Sequence, residues 1–134
     1  MIFKLSWTKS EQDLKEANFD LKDREIEWTL EFVRRVIERQ ILPVFDNDLE
    51  KCKTEIEKMM KERSVFVCNP NEGYTNQHWC LMELPKLGLT KIPIDATSKK
   101  IVVITIANPV TDHRCQKVFY RKFPKNKKRY LLIS

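Results

Sequence analysis

Near Arg63 the spacing of apolar residues changes from about 3.6 to about 2, and this change restricts the fold more than any short motif does. Upstream, Asp20 precedes LKDREIEWTLEFVRRVIERQIL, in which Leu21, Ile26, Leu30, Val33, Ile37 and Ile41 form one apolar stripe opposite a charged face. The stripe predicts a helix over 21–42, capped by Asp20, with Asp23 and Glu25 at the positive end of its dipole and Pro43 stopping it. DNDLEKCKTEIEKMMKER predicts a second helix, with Asp46 or Asp48 as cap and Leu49, Cys52, Ile56, Met59 and Met60 as its inner side. Downstream, β-branched residues accumulate. SVFVC reads as a strand, NPNEGYTN as a turn-rich loop and QHWCLMEL as a second strand. TKIPID and KKIVVITI follow as two more strands, with Pro93 keeping the former at an edge, and QKVFYRKF as a last one. Helices first and strands afterwards make an α+β fold: N-terminal helices packed on a mainly antiparallel sheet formed by the C-terminal half.

A chain of 134 residues, 42% hydrophobic and 33% charged, suits one domain over 1–134. No apolar run approaches the roughly 18–20 residues of a bilayer crossing, and the start turns polar too early for a secretory signal. The expected setting is intracellular, cytoplasmic or nuclear. Cys52, Cys68, Cys80 and Cys115 lie far apart without a CxxC pair, which favours reduced thiols over a disulfide scaffold. Charge is uneven. Residues 1–62 hold 12 Lys and Arg against 15 Asp and Glu, whereas residues 63–134 hold 13 against 4. No acid follows Asp112, so 112–134 is a basic segment suited to phosphates, to an acidic protein face or to plain solvation.

The two histidines each stand two residues before a cysteine, as HWC (His78, Cys80) and HRC (His113, Cys115). In a strand such pairs share a face, so the four could serve one tetrahedral zinc; structural zinc sites usually use tighter knuckles, and no cofactor is expected. In the blander reading Trp79 and Leu81 pack one sheet face, while His78, Cys80, Met82 and Leu84 pack the other. Scattered carboxylates such as Glu50 and Glu83 form no catalytic pair. With only Gly73 and Gly88, no phosphate-cradling loop is available.

The block SVFVCNPNEGYTNQHWCLMEL, with Leu21, Asp23 and Ile26 upstream, resembles the papain-like cysteine proteases that process SUMO and other ubiquitin-like proteins, and their adenovirus-type relatives. The likeness covers residues 20–95. It implies a catalytic histidine at His78, followed by Trp79, and a catalytic acid at Asp95, which stands at the family's interval. A second alignment matches PIDATSKKIVVI to the family's strand-turn-strand and puts the acid near Ile104 or Thr105, where none exists. Beyond 95 the chain departs from the pattern: there is no Asp-Cys-Gly, and Cys115 follows Asp95 too soon, in a segment that reads as strand. Three outcomes follow from the resemblance: a domain without peptidase activity that keeps a partner surface, a nucleophile beyond Ser134, or a rearranged site using Cys115 or Cys80. The first is preferred, with Asn76, Gln77 and Trp79 as partner-binding residues and a ubiquitin-like protein as one partner type.

A nucleic-acid module is the alternative from another class. FYRKF and Tyr130 interleave aromatic and basic residues, and Lys117, Arg121, Lys122, Lys125, Lys127, Lys128 and Arg129 supply the cations, although no RNP, KH or zinc-finger signature accompanies them. Phe3, Trp7, Phe19 and Trp28 form either an exposed platform or, more ordinarily, part of a core.

Overall fold

Thr29 divides what the apolar stripe joins. In the computed structural model, which describes residues 14–17, 21–70, 77–96 and 99–125, the stripe over 21–42 is not one helix. Glu25–Trp28 is a strand (β1), and the helix α1 spans only Leu30–Glu38. Thr29 is its cap: Oγ1 accepts from Phe32 N at 3.1 Å and donates to Ile104 O at 2.6 Å, so one side chain starts the helix and ties it to the chain beyond the sheet. Asp20, the expected cap, lies outside the described residues. A 3-10 turn over Leu42–Phe45 follows, and α2 covers Leu49–Lys61. Asp48 caps α2 by accepting from Glu50 N and Lys51 N.

Four strands form a meander: β2 (Phe66–Cys68), β3 (Gln77–Leu84), β4 (Gly88–Ala96) and β5 (Lys100–Val103). The sheet order is β1-β5-β4-β3-β2, with β1 parallel to β5 and every other pair antiparallel. The fold is therefore α+β, but its sheet is mixed and begins at Glu25, ahead of both N-terminal helices. Pro93 does not mark an edge, because β4 lies between β3 and β5. Its carbonyl accepts from Ile104 N at 3.0 Å, so the position of its missing N–H also faces away from β3, just past the end of β5, and the β3 ladder loses no donor.

The last expected strand is a helix. QKVFYRKF belongs to α3 (His113–Lys122), capped by Asp112, whose side chain accepts from Arg114 N at 2.9 Å. Cys115, Val118 and Phe119 recur at three and four residues and are buried together.

Two apolar layers share the sheet. On the first face His78, Cys80, Met82 and Leu84 of β3 and Ile92 and Ile94 of β4 meet Phe32 and Val36 of α1 and Cys52, Ile56 and Met60 of α2. On the second, Phe66, Cys68, Leu81 and Leu89 meet Cys115, Val118, Phe119 and Tyr120 of α3. Each large side chain fully buried there contributes about 1.5–3 kcal/mol. Lys122 Nζ fastens the far end of α3 by donating to Val65 O at 3.1 Å and pairing with Glu16 at 2.7 Å.

Candidate functional site

His78 sits at the start of β3, 8% exposed, directly opposite Ile94. The alternation expected of an ordinary strand holds: His78, Cys80, Met82 and Leu84 face the α1/α2 layer, and Trp79 and Leu81 face the other. Asp95 pairs with Gln77 and with Val102, one residue out of step with His78. Neighbouring residues of a strand project from opposite faces, so His78 and Asp95 stand on opposite sides of the sheet. That register does not assemble the imidazole-carboxylate pair that the protease resemblance implies. Asp95 Oδ1 is buried and has no hydrogen-bond partner among the described residues.

All four thiols are 0% exposed. Cys115 occupies the first turn of α3, where the N-terminal dipole would favour a thiolate. Burial prevails. It pushes the thiol up to about 11, helped by the Asp112 carboxylate and opposed by Lys91 and Arg114. Burial likewise raises Cys52 to about 11 and Cys68, beside Cys115, to about 12. Cys80 shares the face of His78, and its burial raises its thiol further still. A nucleophile needs an accessible thiolate, and none of these thiols provides one.

The four residues that HWC and HRC would offer to a zinc do not converge either. His78 and Cys80 lie on one face, whereas Cys115 lies in the layer behind the other, and His113 is exposed at the start of α3. In a helix, residues two apart diverge by roughly 200°, so HRC lacks the shared face that a strand would give it. Among the described residues no three His, Cys, Asp or Glu side chains gather as a metal site requires.

Among the described residues, α3 covers only part of the second sheet face. The α3 layer lies over β2 and the Leu81–Leu89 end, with the half-buried Trp79 packed against its margin, and the remainder carries Gln77, Lys91, Pro93, Asp95, Lys100 and Val102, all half-buried or exposed. Trp79 and Pro93 are directly opposite, and Lys91 Nζ lies 4.0 Å from the Trp79 ring centroid, a cation–π contact. Lys100 Nζ pairs with Glu27 at 2.8 Å. An aromatic-proline floor rimmed by both signs of charge has the make-up of a protein-binding patch. Gln77 and Trp79, singled out from the sequence, lie in it, and Asn76 lies outside the described residues. Lys91, Pro93, Lys100 and Val102 were missed; the alternations KIPID and KIVV held the signal, since each gives every second residue to this face.

The basic segment is split. Lys117 and Arg121 are exposed along α3 and Lys125 just past it, while Lys122 is engaged with Glu16 and Val65; Lys127, Lys128 and Arg129 lie outside the described residues. No helix among the described residues is long and apolar enough to cross a membrane. Protein-family models, curated proteins and solved structures give no significant match to this chain.

Proposed function

We propose that this chain is a protein-interaction domain without peptidase activity, resembling the front half of a ubiquitin-like-protein protease, and that it binds through the part of its sheet beside Trp79 that α3 does not cover. One observation carries the reading: the half-buried indole and its proline floor are presented in a molecule whose four thiols are all buried. Binding area persists where chemistry is absent, because the two depend on different groups. A ubiquitin-like protein is the partner type that the His78-Trp79 block implies, and an intracellular setting, cytoplasmic or nuclear, accompanies it.

Titration of the 15N-labelled chain with ubiquitin and with SUMO tests this. The expected result is chemical-shift change at Gln77, Trp79, Lys91 and Val102, lost in Trp79→Ala, with no cysteine labelled by a thiol-directed ubiquitin-like probe. Labelling of Cys80 or Cys115 that His78→Ala abolishes would replace the reading with an active peptidase.

The exposed Lys117, Arg121 and Lys125 favour a second reading, a nucleic-acid module. That reading requires affinity for single strands that falls steeply with salt and collapses in Lys117→Ala/Arg121→Ala/Lys125→Ala.

A further inference from the structure

The sheet ends differently on its two sides. Beside β2 the segment through Glu16 and Ala17 supplies a cover: Ala17 N donates to Val67 O at 2.6 Å, and Glu16 bridges Cys68. Beyond β1 no further strand lies among the described residues. The ladder to β5 uses Glu25 N to Lys99 O and Thr29 N to Val103 O, each 3.2 Å. Successive residues of a strand direct their backbone groups to opposite sides, so Ile26 and Trp28 turn their N–H and C=O groups outward. Such a row is a template for another strand.

Side chains give the template a preference. Glu25 and Glu27, both exposed, project on the second face, while Ile26 and Trp28 project on the first, just ahead of Leu30, which is 88% exposed. We infer that β1 takes up an extended segment of a protein partner as a sixth strand, and that this segment alternates apolar residues with Lys or Arg. Its apolar side chains lie beside Ile26 and Trp28, and its cations beside the two glutamates. A second copy of this chain is the poorer occupant. Any antiparallel pairing of β1 with itself that satisfies the outward groups sets a glutamate opposite a glutamate, and like charges directly opposite destabilise a sheet.

The inference goes beyond the Trp79 patch and does not use the indole; the two meet only at the pair of Glu27 with Lys100 on the patch's rim. Its test is titration of the 15N-labelled full chain with acetyl-Val-Lys-Val-Lys-Val-Lys-Val-amide and with the peptide carrying Glu in place of Lys. With the Lys peptide the amide protons of Ile26 and Trp28 shift and exchange more slowly, while that of Glu27, held in the β5 ladder, changes little. Glu25→Lys/Glu27→Lys weakens the Lys peptide by about tenfold or more and strengthens the Glu peptide. Trp79→Ala leaves both affinities unchanged, which separates this inference from the proposed partner patch. The inference is overturned if Ile26 and Trp28 do not respond at about 1 mM peptide, or if both peptides bind alike. Protection of the same two amides by self-association of the chain alone would also overturn it.

Discussion

Asn108 ties the turn end of the β3–β4 hairpin to the chain that returns beside it. Its Nδ2 lies 3.1 Å from Leu87 O, 3.1 Å from Leu89 O and 3.0 Å from Thr90 Oγ1, so three acceptors converge on one amide nitrogen. Only a donor fits there. Asn108→Asp keeps the shape and sets an acceptor against acceptors, so the urea midpoint should fall by the equivalent of about 2–3 kcal/mol. The thiols give a pH dependence with a definite sign. Burial raises Cys52 and Cys115 to about 11 and Cys68 to about 12, all above the ordinary thiol value of 9.0. The unfolded chain therefore binds fewer protons than the folded one between those values, and stability falls as pH rises from 9 towards 12. Denaturant titrations at pH 8 and pH 10.5 should show the loss, and Cys52→Ala/Cys68→Ala/Cys115→Ala should reduce it to the part that Cys80 contributes. His78 teaches a related lesson: the strand alternation visible in the sequence placed it correctly, whereas a dyad with Asp95 depended on a register that local sequence does not carry.

At the scale of elements, legibility followed whether an element's partner was local. The strands β3 and β4 were readable because QHWCLMEL and TKIPID alternate; the short turn that pairs them uses Gly88, at φ +75°. α2 was readable from Asp48 and a regular inner stripe. β1 was not. Its partner β5 lies far along the chain, and EIEW offers a stripe residue at Ile26 that a helix accepts as readily as a strand. Thr29 held the missed signal, since a threonine before LEFVRRV can cap a helix in its own right, which gave the stripe a second possible start. Thr29→Ala should cost about 1–2 kcal/mol, more than an ordinary cap because the bond to Ile104 O is lost with it. α3 was misread because KVFY is as apolar and aromatic as a strand, although Asp112 and the Cys115–Val118–Phe119 spacing mark a capped helix. Phe119→Ala, emptying a fully buried site, should lower stability by about 3–5 kcal/mol in thermal or urea unfolding.

For the whole molecule, the uneven charge reappears as a division of labour in space. The acid-rich first half supplies α1, α2 and β1, with Glu31 holding Arg34 and Arg35 along the outer side of α1, while the basic second half carries α3. The two apolar layers also depend on different stretches of chain. The first uses residues 21–106, and the second needs α3, the last described helix. A chain ending at Thr111 should keep most of its far-ultraviolet circular dichroism and bind the dye ANS strongly, whereas the full chain should not. Synthesis runs in the same order. As the polypeptide leaves the ribosome, the α1/α2 side can close while Phe66, Leu81 and Leu89 still face water, so the nascent protein carries a sticky flank until the residues up to Phe123 emerge to cover it.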